Sequence, residues 1–190
     1  MGLGSMMAGG NPDVGRGREV DDFYGTPKDV TKVLLLGPAR DWAEDCVWEP
    51  CAGEGAMVDV LAKKYKTVVS SDVNPRRPDI TKQDFFYIRN LNEINTTTII
   101  TNPPFIYAEE FIRHSFDVGI TRMALVLKAT FWHAKNRRPL WNKHRPSMIC
   151  PLTWRPDFKG LKHPVMEVMW CIWDTPCTST QAAYVPLSRD

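Results

Sequence analysis

The densest chemistry in the chain lies in the segment Thr101-Asn102-Pro103-Pro104-Phe105. Residues 97–101 are β-branched throughout and read as a buried strand. That strand ends in an amide, two prolines and an aromatic ring. Neither proline carries a backbone N–H, and the ring of each holds φ near roughly −65°. The main chain beside Asn102 is therefore rigid and offers carbonyl acceptors with few competing donors. The Asn102 amide oxygen and the Pro103 carbonyl can converge on one NH2 group while Phe105 stacks on the ring that bears it. An exocyclic amine on a flat heterocycle, such as that of adenine, has the matching shape.

Three more loops carry groups that suit a ligand. The stretch EPCAGEGAM, residues 49–57, places Gly53 and Gly55 where a strand gives way to a helix. Glycines there admit positive φ and a close approach to the backbone. The third glycine of the dinucleotide fingerprint is missing. Glu49 and Glu54 would repel a pyrophosphate, so the expected ligand presents a cation or hydroxyls; a plain tight turn is the alternative. Asp72 closes the next strand, 19 residues after Gly53, a spacing suited to ribose hydroxyls. Asp84 precedes Phe85 and Phe86, so a carboxylate can accept from an adenine amino group beside a ring. Taken singly, either aspartate also fits a turn or a helix cap.

A basic stretch completes the set. Residues 131–163 carry a local charge of +7 in a chain whose net charge is +2. Lys135, Arg137, Arg138, Lys143 and Arg145 are interleaved there with Phe131, Trp132, Trp141, Trp154 and Phe158. Cations for phosphates and flat rings for bases are what a nucleic-acid surface uses, though a solvated face is the other reading.

These loops must be held by regular elements. Residues 1–22 contain half of the twelve glycines and almost no large apolar residue, which predicts a disordered leader before a single domain over 23–190. Thr26-Pro27 reads as a helix start with the Thr26 hydroxyl as N-cap, and Gly37-Pro38 as its stop. Strands are expected at 46–48, 67–71, 80–85, 97–101, 123–127, 148–151 and 165–173, with Trp170 and Trp173 in the core. A helical stripe of Val58, Leu61 and Tyr65 follows the glycine loop, and a third helix spans 108–118. Alternation of strand and helix predicts an α/β domain with a mostly parallel sheet and helices on both faces. In such a sheet ligands bind beyond the carboxyl ends of the strands, which is where Asn102, Glu49, Asp72, Asp84 and Lys128 would stand.

Composition removes other classes. No run is long and apolar enough for a membrane span and no secretory signal opens the chain, so a cytoplasmic location and no membrane partner are expected. Five cysteines without a CxxC pair and four scattered histidines suggest neither a disulfide scaffold nor a metal site.

The motif order DFYGTP (22–27), EPCAGEG (49–55), SDVN (71–74), QDFF (83–86) and TNPPF (101–105) resembles the S-adenosylmethionine-dependent N6-adenine DNA methyltransferases, the small phage and prophage members above all. The resemblance implies a Rossmann-like class I fold with a seven-stranded sheet, S-adenosyl-L-methionine as cofactor and DNA as partner in a bacterial or infected-host cytoplasm. Tyr24 and Thr26 would hold the methionyl end of the cofactor, and Glu49, Cys51, Gly53 and Gly55 would form its loop. Asp72 would take the ribose, and Asp84 with Phe85 the cofactor adenine. Asn102, Pro103, Pro104 and Phe105 would form the catalytic segment. Lys128, Lys135, Arg137, Arg138, Lys143 and Arg145 would face the DNA, with a monomer the default state. Similar Asn-Pro-Pro-aromatic segments occur in methyltransferases of rRNA guanines and protein glutamines. An RNA base as substrate, or a non-catalytic nucleic-acid-binding module on the same fold, therefore stays open.

Overall fold

The computed structural model describes residues 25–158, 160, 162, 164–174 and 180–189. The expected leader, with Tyr24, lies outside them. The strands are β1 (Cys46–Glu49), β2 (Thr67–Asp72), β3 (Thr81–Lys82), β4 (Thr98–Thr101), β5 (Arg122–Lys128), β6 (Met148–Pro151), β7 (Val168–Asp174) and β8 (Ala183–Tyr184). They form one sheet in the order β3-β2-β1-β4-β5-β7-β6-β8. Pairing is parallel from β3 through β5, while β7 runs antiparallel to both β5 and β6. The order turns back between β1 and β4, so their carboxyl ends open onto a crevice where the chain departs to opposite sides.

Four helices are described: α1 (Lys28–Leu36), α2 (Val58–Leu61), α3 (Ala108–Asp117) and α4 (Arg138–Lys143). The period-2 alternation of β5 and β7 supplies a core on each face of the sheet. Met123, Leu125, Leu127, Met169, Cys171 and Trp173 face Phe111 and Ile112 of α3 and Leu140 of α4. Ala124, Val126, Trp170 and Ile172 face Val30 and Leu34 of α1 and Leu61 of α2. Trp170 and Trp173 are core residues, as expected. Each indole N–H has an acceptor, Trp170 on the Val30 carbonyl at 2.9 Å and Trp173 on the His144 carbonyl at 2.8 Å. Burying these rings therefore leaves no donor unpaired.

Several expectations are corrected. The sheet has eight strands rather than seven, because Ala183–Tyr184 adds a short parallel partner to β6. The third strand is two exposed residues, not 80–85, and Asp84 instead caps a 3-10 turn by accepting from the Phe86 N–H at 2.9 Å. No α-helix links β2, β3 and β4 among the described residues, so the strand–helix alternation is thinner than the pattern suggests. The last long strand starts at Val168, three residues late. Thr26 does not cap α1: Pro27 occupies the N-cap position with no side-chain hydrogen bond. Proline at that place already fixes the entry of the chain, which leaves the Thr26 hydroxyl free to turn elsewhere.

Candidate functional site

A cleft of about 560 Å³ lies over the carboxyl ends of β1, β2 and β4. Its walls include Thr26, Glu49, Cys51, Asp72, Asp84, Phe85, Asn102, Pro103, Pro104 and Phe105. Every described cofactor-side or catalytic candidate except Gly53 and Gly55 thus lines one cavity.

Glu49 ends β1 and is 1% exposed. Its Oε1 accepts from the Cys51 N–H at 3.1 Å and from the Thr101 hydroxyl, which ends β4. Its Oε2 is buried with no partner. Burial, opposed by those hydrogen bonds and reinforced by the Asp72 charge, raises its pKa to about 8. Burial together with the charges of Glu49 and Asp72 also pushes the Cys51 thiol well up, so Cys51 is a packed neutral thiol rather than a nucleophile.

Asp72 locks the glycine loop. One carboxylate oxygen accepts from the Gly53 N–H at 2.8 Å and the other from the Asn74 N–H at 2.8 Å. The loop can fold back to meet it because Gly53 and Gly55 adopt φ of 51° and 83°, values that an L side chain resists. Phe85 is more interior than expected. It is 4% exposed and stacks on Phe111 at 3.8 Å with the rings 8° apart. Phe86, next to it, is half-buried and also lines the cleft.

At the Asn-Pro-Pro segment the Asn102 Nδ2 group donates to the Thr26 hydroxyl at 3.1 Å, while Asn102 Oδ1 is buried without a partner. The Pro104 carbonyl accepts from the Tyr107 N–H at 3.0 Å, closing a 3-10 turn over Phe105–Tyr107. Pro104 thus shapes the turn, which leaves Pro103 as the proline whose carbonyl suits a ligand. Lys128, exposed at the end of β5, places its ammonium 5.4 Å from the Phe105 ring centroid.

The basic stretch reaches both ends of α3. The Arg137 guanidinium lies 4.0 Å from the Phe131 ring centroid and 4.0 Å from Glu109 in the first turn of α3. Arg137 therefore stands beside the start of α3, which follows the cleft residue Tyr107. Helix α4 then descends, and His144 stacks on Phe116 at the far end of α3, with ring centroids 4.3 Å apart. Lys143 and Arg145 flank His144 in the chain, and the His144 carbonyl accepts from the Trp173 indole of β7. Linear clustering hid this spread. It also hid Thr101, read only as a strand residue, and the contact of Thr26 with Asn102 across 76 residues. Among the described residues no group of three or more His, Cys, Asp or Glu could hold a metal ion, and no helix is long and apolar enough to cross a membrane.

No family model and no curated protein matches the chain; solved structures do. The modification subunit of a provisionally assigned type I restriction enzyme from Vibrio vulnificus aligns with a TM-score of 0.58 at 14% identity, covering 80% of this chain and 44% of that one. A class I S-adenosylmethionine-dependent methyltransferase, also provisionally assigned, from Listeria monocytogenes aligns at 0.57 and 9% identity over 85% of this chain and 65% of its own. The fold is that of a class I methyltransferase. A provisionally assigned RNA methyltransferase from Pyrococcus horikoshii shares this methyltransferase fold, with a TM-score of 0.56 and 16% identity over 80% of this chain and 86% of that one. The chain spans less than half of the Vibrio subunit.

Proposed function

We propose that this chain transfers a methyl group from S-adenosyl-L-methionine to an exocyclic amino group of a nucleic-acid base, and that the substrate is N6 of adenine in DNA. The observation that carries the reading is Asn102. Its amide nitrogen is tied down and its oxygen is a buried acceptor with no donor, in a cleft on a methyltransferase fold.

The residues present fit the cofactor. Glu49 Oε2, buried without a partner, would accept from a ligand ammonium once the carboxyl has given up its proton. Asp72, anchored by two backbone amides, keeps lone pairs for ribose hydroxyls, and Asp84 stands beside Phe86 to receive an adenine edge. When bound, the cofactor supplies a methyl group on an electrophilic sulfonium. Asn102 and the Pro103 carbonyl accept the two amine protons, which favours a pyramidal nitrogen with an available lone pair. Catalysis is then mainly positioning and electrostatics. A base in a duplex must first leave the stack at a cost of a few kcal/mol. Stacking on Phe105 offsets about 1–3 kcal/mol of that, and Lys128, with Lys135 and Arg138, lies where phosphates would pass.

Radiolabelled cofactor incubated with single-stranded DNA, duplex DNA and RNA, followed by nucleoside analysis, tests the reading. Label should appear on N6 of deoxyadenosine. Label confined to cytosine, to RNA or to protein overturns the substrate. Asn102→Ala should lower transfer by roughly a hundredfold or more with cofactor affinity retained; transfer at the original rate removes Asn102 from the mechanism.

A further inference from the structure

We infer that Thr26 is a positioning residue that sets the orientation of the Asn102 amide, so that Asn102 meets the target amine with its oxygen and not its nitrogen. This rests on the reading of Asn102 as the acceptor for that amine. The two ends of an asparagine amide are nearly equal in shape and opposite in chemistry. A base amine brings N–H donors and a delocalised lone pair. An Asn102 turned the other way would set donors against donors.

The nitrogen end of the amide is the one turned to Thr26. Asn102 Nδ2 donates to Thr26 Oγ1 at 3.1 Å, and Oδ1 is left buried without a partner. Thr26 is 7% exposed, so water does not compete well for this contact. The hydroxyl also stands on an anchored element. Pro27, with φ −56°, leads directly into α1, whose Val30 and Leu34 are fully buried. The Val30 carbonyl is held in turn by the Trp170 indole at 2.9 Å. On the other side of Asn102, the Thr101 hydroxyl is held by Glu49. Asn102 is thus clamped through its backbone neighbour from β1 and through its amide from the start of α1. The resemblance to N6-adenine methyltransferases assigns Thr26 to the methionyl end of the cofactor; the contact it makes here is with the catalytic amide.

Thr26→Val keeps the shape and removes the acceptor, whereas Thr26→Ser keeps the acceptor. With nucleic acid and cofactor both saturating, Thr26→Val should lower kcat about five- to tenfold, the equivalent of one neutral hydrogen bond. Thr26→Ser should stay near wild type, and calorimetric affinity for S-adenosylmethionine should be unchanged in both. In the Asn102→Ala background Thr26→Val should add nothing. A readout without turnover is the side-chain amide resonance pair of Asn102 in 15N-labelled protein, identified by its loss in Asn102→Ala. Thr26→Val should shift the bonded proton, and Thr26→Ser should preserve it.

Unchanged resonances, or unchanged kcat in an active wild type, overturn the inference and leave the proposed function standing. Weaker cofactor binding with kcat retained also overturns it, by assigning Thr26 to the cofactor. A wild type that methylates no nucleic acid overturns the proposed function and this inference together. Should Thr26→Val not fold, Thr26→Ala serves as the hydroxyl-free variant under the same outcomes.

Discussion

Glu49 keeps its proton in the folded protein at a pH where an exposed glutamate has lost it. Its pKa rises from 4.5 to about 8, chiefly through burial. An acid raised in this way stabilises the fold fully below the unfolded value and loses that contribution as pH climbs through the folded one. Denaturant unfolding of the ligand-free protein should therefore show stability falling between pH 5 and 8, by up to a few kcal/mol on the order expected for such a shift. Glu49→Gln should flatten that slope; an equal slope in the variant assigns the effect to another group. A ligand cation near Oε2 would favour the carboxylate, so cofactor binding near neutral pH should release up to about one proton. Calorimetry in buffers of different ionisation enthalpy reads that proton directly, and Glu49→Gln should abolish it. The acid type and its place after a strand were legible in the residues themselves. Its burial was not, because that depends on Thr101 arriving from a strand 52 residues away.

The glycine loop is built around one conformation. Gly55 has φ 83°, its N–H donates to the Ala52 carbonyl at 2.6 Å, and an added Cβ would fall on the Arg77 guanidinium. Arg77 is itself held by Asp59 at 2.7 Å and Asp79 at 2.6 Å. Gly55→Ala should cost about 1–2 kcal/mol for the left-handed backbone alone, plus the displacement of Arg77, and it should weaken cofactor binding. Urea unfolding in an Arg77→Ala background separates the two: the backbone part should persist, and its disappearance would refute the conformational account. Elements announced by apolar runs, such as β4, β5 and β7, were readable to within a few residues. β8 was not, since it is two exposed residues with no buried face to leave a pattern, and β3, equally short and exposed, was legible only as a longer strand over 80–85. The start of α1 misled for another reason. Thr-Pro is a sound local capping signature, and a tertiary partner took the hydroxyl instead.

The fold carries the basic stretch to both ends of α3. Lys128 stands beside Phe105 and Arg137 beside the start of α3, while Lys143 and Arg145 flank His144, which stacks on Phe116 at the far end of α3. If nucleic acid enters at Asn102, Lys135→Glu with Arg138→Glu should weaken DNA binding and lower the salt slope by about two. Lys143→Glu with Arg145→Glu should leave both close to wild type in anisotropy titrations over a range of salt; equal losses from the two pairs would return the whole stretch to a single surface. The antiparallel strand β7 has one more consequence, for synthesis. It is made after β5 and β6 yet lies between them, and Trp170 bonds to a carbonyl 140 residues earlier. A ribosome that has delivered the chain through residue 158 has supplied Thr26, Glu49, Asp72 and Asn102, but β5 still has an open apolar edge. The nascent polypeptide passes through a stage at which its cleft loops exist and its sheet can pair with a stranger's strand. Its exposure to aggregation is then set by how quickly translation reaches Val168–Asp174.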